Sequence, residues 1–316
     1  MMKVQIACIG GVDIDRKTWA DGKLRLGTSN PVRVTVCTGG VMRNIAYCLA
    51  RLGCQASLFS IVGQDPAGDA LLRELESVGV NVSAVVRSVR YPTASYTAVL
   101  EEDGQLVVGL ADMAIFDELD ASWADSIAPS LVQSAIRVLD TNLPAATLER
   151  LLHTHKGNAI VLADPVSVAK SARLRAVLDA VDVLFPDREE AAELSGHAVR
   201  TRHEVVEAAD KIRKLGVGTV IVTLGADGLY FDDGKARKFM PAIPAEKVRD
   251  VTGAGDALVA GYVYGLLLGG DCDPARFGLA AASLTVESDK SAAEDLTAEQ
   301  LRQRVDSNPS TNINDE

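Results

Sequence analysis

Apolar residues in this chain fall into two recurring patterns that follow one another. Short continuous runs at residues 4–9, 56–62, 135–139, 159–162, 181–185 and 219–224 have the length and aliphatic content of strands covered on both faces. Between them lie stretches with the helical period. Residues 44–52 bring Ile45, Leu49 and Leu52 into register and end at Gly53; residues 67–78 end at Gly79; residues 145–153 form a third. The run 258–268 is apolar and rich in small residues, and 274–287 is an Ala-rich final helix. Strand and helix in alternation predict an α/β fold with a doubly wound, mostly parallel sheet flanked by helices.

Two segments break that rhythm. Residues 31–38 alternate, with Val32, Val34 and Val36 on one side and Arg33, Thr35 and Cys37 on the other. Residues 94–101 and 105–110 flank Asp103-Gly104, a strong hairpin turn. Together they predict a small separate sheet, which serves either as a lid over a site or as a dimer edge. Residues 16–30 read as polar and irregular. The expected organisation is one domain over 1–305, with lid segments near 12–38 and 90–113 inserted, and a disordered tail over 306–316.

Polar or glycine-rich loops recur at the carboxyl ends of the predicted strands, where open α/β sheets bind ligands. One is Asp140-Thr141-Asn142-Leu143-Pro144, and another is Asp164-Pro165 with Ser167 and Lys170 close behind. The most informative is Thr252-Gly253-Ala254-Gly255-Asp256, directly before the run 258–268. Small residues let the backbone turn tightly and leave its N–H groups uncovered. The first N–H groups of a helix lack internal partners and carry the positive dipole end, so a phosphate fits there. Asp256 then stands beside the anion, placed to accept a proton from an attacking hydroxyl. A plain strand-to-helix turn is the bland alternative. Asp13 and Asp15, one residue apart after the first strand, point to the same side. Gly39-Gly40 permits close backbone approach, and the Asn44 amide can both donate and accept toward a sugar hydroxyl.

Net charge is −11, which argues against nucleic acid as a partner. No apolar run reaches the ~18 residues of a membrane helix, so no membrane partner is expected. The five cysteines form no C-x-x-C pair and read as reduced, mostly buried thiols of a cytoplasmic protein. His153 and His155 read as a solvated pair and not a metal site. The P-loop pattern is absent: the nearest string, residues 228–235, has one residue too many and Ala236 in place of Ser or Thr.

The string Thr38-Gly39-Gly40-Val41-Met42-Arg43-Asn44, and Asp250-Val251-Thr252-Gly253-Ala254-Gly255-Asp256, resemble the two signatures of the ribokinase-like carbohydrate kinases. That resemblance covers residues 4 to 287. It implies the ribokinase-like fold with a β-sheet lid, ATP and Mg²⁺ as cofactors, and a response to a monovalent cation such as K⁺. Asp256 would be the base, with the N–H groups of Gly253, Ala254 and Gly255 as the anion hole. Asp13, Asp15, Gly39, Gly40 and Asn44 would face the substrate, and Thr223, Gly225, Gly228 and Thr252 the nucleotide. Glu190 would act near Mg²⁺ through water, beside Asp187, which stands where the family has asparagine. Several stretches, Thr93-Ala94-Ser95-Tyr96 and Asp164-Pro165-Val166-Ser167-Val168-Ala169-Lys170 among them, are most similar to the branch that phosphorylates free pseudouridine at its 5′-hydroxyl. Thr93, Ser95, Asp164 and Lys170 would then contact the substrate. Other small-molecule substrates (ribose, adenosine, a sugar acid) remain open, as does a non-catalytic nucleoside- or sugar-binding regulator. A homodimer through the lid is compatible with either.

Overall fold

The computed structural model describes residues 4–290, 292–293 and 295–308. The chain opens with β1 (Gln5–Ile9), β2 (Asp13–Ala20), β3 (Val32–Gly39), α1 (Val41–Arg51), β4 (Gln55–Phe59), β5 (Ile61–Gly63) and α2 (Pro66–Ser77). β6 (Val86–Ser88), β7 (Ser95–Leu100), β8 (Leu106–Asp112), α3 (Ala121–Leu131), β9 (Ser134–Asp140), α4 (Ala145–Glu149) and β10 (Ile160–Asp164) follow. Then come α5 (Val168–Ser171), β11 (Val183–Leu184), α6 (Arg188–Ser195), α7 (Arg202–Lys214), β12 (Thr219–Thr223), β13 (Leu229–Asp232) and β14 (Arg237–Met240). Three helices come last among the described residues: α8 (Ala254–Leu268), α9 (Pro274–Thr285) and α10 (Ala298–Asp306).

The main sheet has eight strands in the order β14-β13-β12-β11-β10-β9-β1-β4. Strands from β12 to β4 pair parallel, and the β12–β13–β14 edge is antiparallel. This is the ribokinase-like α/β fold. Each face has its own apolar core, because side chains alternate across a strand. Ile6, Cys8, Leu58 and Ile221 pack beneath α1, α8 and α9. Ala7, Ile9, Phe59 and Val220 pack beneath α3, α4 and α7. Small residues let α8 and α9 meet closely: a Cβ on Gly261 would lie 2.4 Å from the Phe277 carbonyl oxygen.

A second sheet of four strands, β3-β2-β7-β8, stands apart from the first. Residues 13–20, within the span expected to be irregular from 16 onward, form its central strand β2. Arg16, Lys17 and Thr18 lack an apolar period, and the strand is fixed instead by pairing with β3 and β7. The run 56–62 is two strands, broken at Ser60. α1 begins at Val41, three residues earlier than its pattern shows, because Gly40 takes φ 95° at its cap. A Cβ on Gly40 would approach the Val12 Cα to 2.5 Å. Three of the cysteines depart from the burial expected of them. All five are free, but only Cys8 and Cys48 are buried, and Cys37 and Cys272 are exposed on the surface. The expected tail lies outside the described residues from 309 onward.

Candidate active site

The carboxyl ends of β1, β9 and β10 converge with the inner end of the small sheet and the first turn of α8. Asp140, at the end of β9, is buried and accepts from the Gly11 and Asn142 amides, each at 2.8 Å. Gly10 must be glycine here, since a Cβ would fall 2.4 Å from that carboxylate. The Asn142 side-chain oxygen accepts from Lys170 at 2.6 Å. Arg173 donates to the carbonyls of Thr141, Asn142 and Leu143 and so holds this loop. Lys170 itself sits on α5, which follows a strained turn in which Val166 takes φ 64°. A β-branched residue in that region is an outlier that its neighbours must enforce. The Val166 amide is held by Asp164, and Thr141 donates its hydroxyl to the Pro165 carbonyl.

Asp13 and Asp15 begin β2, side by side. A Cβ on Gly39 would meet both carboxylates, at 2.6 and 2.2 Å, so Gly39 is what lets them share this corner. Burial, and then Asp15, push Asp13 up to about 8, with Asp140 and Asp256 adding to the push and Lys170 opposing it. Asp13 Oδ1 is buried with no hydrogen-bond partner among the described residues. Asp164 is also raised, by burial and then by Asp256 and Glu190. The corner is therefore crowded with carboxyls that compete to stay neutral.

Asp256 lies on the first turn of α8, nearly buried. Gly253 precedes that turn at φ 79°, in the left-handed region that a glycine tolerates. No side chain caps this helix. Ala254 turns its amide back to the Val251 carbonyl at 3.3 Å. The Gly255 and Asp256 amides are first-turn groups with no intrahelical acceptor. A Cβ on Gly255 would meet nothing within 4 Å, so the backbone there borders open space. Asp256 Oδ2 accepts from the Asn44 amide nitrogen at 2.7 Å. Burial raises its carboxyl to about 7 against the lowering effect of that hydrogen bond, with Asp140 and Asp15 adding to the rise. A carboxylate poised near neutrality suits general base work.

The structure thus brings Asp13, Asp15, Gly39, Gly40, Asn44, Asp164, Lys170, Gly253, Ala254, Gly255 and Asp256 to one end of the sheet. Ser95 enters β7 opposite Ile14, at the inner end of the small sheet. Thr93 is placed differently. Its hydroxyl donates to Asp65 at 2.7 Å and accepts from the Gly63 amide at 3.0 Å, so it is engaged in fastening β7 to the cap of α2. Asp187 and Glu190 form a capping box at the start of α6, with Asp187 accepting from the Glu190 amide and Glu190 from the Asp187 amide. Asp187 thus has a local structural role, since an acid caps a helix as well as an amide does. Burial lifts Glu190 to about 7. Thr223 ends β12 and Gly225 and Gly228 follow it, with the Thr223 amide bonded to the Pro186 carbonyl at 2.9 Å, so this strand end lies beside the loop before α6. Thr252 bonds to Asp250 through its amide and hydroxyl.

Three functional neighbours escape a reading of the sequence. Asp140 lies in the loop flagged at 140–144, but nothing marks it as the group that binds Gly11. Arg43 and Glu74 meet across two helices, and only the tertiary structure joins them. Among the described residues, no group of three or more His, Cys, Asp or Glu is arranged to hold a metal ion. His153 and His155 instead face Asp179 and Asp125 at the surface. No helix among the described residues is long and apolar enough to cross a membrane.

Comparison with known proteins shows the family. The model of the pfkB family carbohydrate kinases matches residues 3–298, and the chain belongs to that family. It is an α/β kinase of the ribokinase-like class. The chain is 33% identical over 259 residues to pseudouridine kinase of Escherichia coli (strain K12), covering 82% of each chain. Among solved structures it resembles a carbohydrate kinase from Agrobacterium tumefaciens, at TM-score 0.84 and 30% identity, over 97% of this chain and 98% of that one. It shares its fold with Arabidopsis thaliana ribokinase complexed with ribose and ATP, at TM-score 0.85 and 22% identity, over 96% and 99%.

Proposed function

We propose that this kinase transfers the γ-phosphoryl group of ATP to the 5′-hydroxyl of free pseudouridine. The observation that carries the chemistry is Asp256, held on the uncapped first turn of α8 and hydrogen-bonded to Asn44. The substrate assignment is supported by the 33% identity to the Escherichia coli pseudouridine kinase.

In this reading the sugar lies among Asp13, Asp15, Gly40 and Asn44, and its 5′-oxygen faces Asp256. That oxygen attacks the γ-phosphorus as the bond to the β-phosphate oxygen breaks, ADP departs, and the hydroxyl proton passes to the Asp256 carboxylate. The Gly253–Gly255 backbone stabilises the charge spread over the transferring group, and because it is preorganised it needs no rearrangement. Burial raises the base to about 7, so its proton affinity matches its task.

Thr223, Gly225, Gly228 and Thr252 lie on the nucleotide side, where the open loop after β12 fits a flat base and its phosphates. Mg²⁺ supplied with the nucleotide neutralises phosphate charge, and Glu190, with one oxygen committed to the capping box, would reach it through water. Stimulation by K⁺ belongs to the same reading. Lys170, with Ser95 across the cleft, would meet the polar edge of the base. The crowd of carboxyls around Asp13 disfavours an acid substrate, and so favours a nucleoside over a sugar acid.

The small sheet would close over the substrate to exclude water. Its outer strands expose Val34, Val36, Leu106 and Leu110, which supports a homodimer formed through this sheet. Sedimentation velocity of the chain and of Val36→Lys would test that, a monomer in both sinking it. The free thiols suit a cytoplasmic protein. The substrate assignment is tested by ADP release with MgATP and pseudouridine, uridine, ribose or adenosine offered separately.

A further inference from the structure

A charged side chain is buried beside the reacting centre and has no part in the chemistry described so far. Arg43, in the first turn of α1, is 3% exposed. Burying a guanidinium is costly unless its charge is paired; Nε is buried without a hydrogen-bond partner among the described residues, so the two terminal nitrogens carry the pairing. Here Nη2 is paired with the Glu74 carboxylate of α2 at 2.5 Å, and Nη1 donates to the Asn44 side-chain oxygen at 3.0 Å. The guanidinium carbon lies 4.6 Å from the centroid of the Tyr47 ring, one turn further along α1. The same Asn44 side chain donates its nitrogen to Asp256 Oδ2 at 2.7 Å. The four residues form one line across three helices: Glu74, Arg43, Asn44, Asp256.

We infer that Arg43, pinned by Glu74, is a positioning residue for the base: it fixes the Asn44 amide so that its nitrogen faces Asp256 and its oxygen faces away. The inference rests on the reading of Asp256 as base. The argument is one of donors and acceptors. Arginine has only donors, so the atom of Asn44 that meets it must be the oxygen. That choice leaves the NH₂ group, and only that group, to meet the carboxylate. A flipped amide would set NH₂ against the guanidinium and oxygen against the carboxylate, two repulsions at once. With Arg43 in place, Asn44 occupies Oδ2 of Asp256 and leaves Oδ1 as the acceptor for the substrate proton. Neighbours one apart on a helix do not normally face each other. The Tyr47 ring and the Glu74 carboxylate are what hold the Arg43 chain back over Asn44.

Charge points the same way. Asp256 is faced by Asp13 and Asp15 from β2, Asp140 from β9, Asp164 from β10, and Cys48 and Arg43 from α1. Arg43 is the sole cation of this set, and it lowers Asp256 while Asp15 and Asp140 raise it. A base so surrounded by acids would otherwise stay protonated over more of the neutral range.

The test pairs a readout without substrate and one with it. Aspartate-labelled apo protein is titrated by ¹³C carboxyl NMR, with Asp256→Asn assigning the Asp256 resonance. Turnover is measured with MgATP and pseudouridine across pH 5.5–9. Arg43→Met should raise the Asp256 midpoint by about half a unit or more and lower kcat about tenfold with little change in KM. Arg43→Lys, which keeps the charge but cannot grip Glu74 and Asn44 at once, should restore the midpoint and recover kcat only in part. Glu74→Gln, at the half-exposed edge of α2, should lower kcat several-fold at unchanged KM. A folded Arg43→Met protein with wild-type midpoint and kcat overturns the inference. If that variant does not fold, Glu74→Gln decides: unchanged kcat overturns it and a reduced kcat supports it. An active Asp256→Asn enzyme would instead overturn the base assignment itself, an outcome separable from these.

Discussion

The ammonium of Lys17, midway along β2, lies 2.5 Å from the carboxylate of Asp250 and 3.4 Å from the Thr252 hydroxyl. The contact joins the small sheet to the string that carries Asp256. Burial pushes Asp250 up, but the hydrogen bonds from Lys17 and Thr252 outweigh it and hold the carboxyl below its usual range. A lid that closes over a phosphoryl-transfer site needs such an attachment near the phosphates.

Lys17→Met therefore separates closure from folding. A partly exposed ion pair is worth under about 1 kcal/mol, so the melting temperature should barely move. KM for both substrates should rise several-fold, and ADP formed per nucleoside phosphate should exceed one as water enters. Wild-type KM and tight coupling in this variant would remove the lid role from Lys17.

As the proposed base, Asp256 should set the pH dependence of turnover. With its carboxyl near 7, the proton-accepting form is lost as pH falls through that value. On the acid side kcat/KM should drop about tenfold per pH unit. Asp256→Asn should lose roughly 10²–10⁴-fold in kcat while folding and binding nucleoside. A variant that keeps both its rate and its acidic limb would show that another group takes the proton.

The same burial carries a cost in stability, which Asp13 exposes. Its carboxyl ordinarily titrates near 3.8 and is held up to about 8 in the folded chain. Across that window the folded state keeps a proton that the unfolded state has released, so stability falls as pH rises. Asp256 and Glu190, both raised to about 7, act in the same sense. Asp13→Asn removes the largest of these three shifts. Scanning calorimetry of the ligand-free protein should show a smaller loss of melting temperature between pH 6 and pH 8 in the variant than in the parent. An equal or steeper loss would mean that Asp13 is not held neutral.

Gly261 tests the packing that presents Asp256. A methyl group there would collide with the Phe277 carbonyl and lie 2.7 Å from the Ala281 Cβ. Gly261→Ala should therefore cost about 1–3 kcal/mol by overpacking, although alanine is the better helix former. Denaturant unfolding measures it, and a stabilised variant would contradict the close α8–α9 contact.

Much of this was legible in the sequence. Runs buried on both faces, such as residues 4–9 and 219–224, announced the parallel sheet because nothing but helices can cover both sides of it. The small-residue string before Asp256 marked a helix start without a side-chain cap, as the structure has it, because small residues leave backbone amides uncovered. Where the signal failed, the cause was physical. β2 carries Arg16, Lys17 and Thr18 because it faces a cleft and solvent, so it has no apolar period to read. α7 does carry a signal, Thr201 capping Glu204 three residues on, yet its mixed charges hid it from a search for apolar runs. Asp140 looks like any loop acid until β1 brings Gly11 beside it. Glu74 and Arg43 lie 31 residues apart on separate helices, and only the packing of α1 against α2 gives them a common purpose.

The most direct test of the central claim is ADP release from MgATP with each candidate acceptor, followed by ³¹P NMR of the product. The account predicts turnover with pseudouridine far above that with uridine, ribose or adenosine, and a phosphomonoester on the 5′-oxygen. Preferred turnover of ribose or adenosine would contradict the substrate assignment and the roles given to Ser95 and Lys170. No ADP from any of them, by a protein that binds pseudouridine and ATP, would contradict the kinase chemistry built on Asp256.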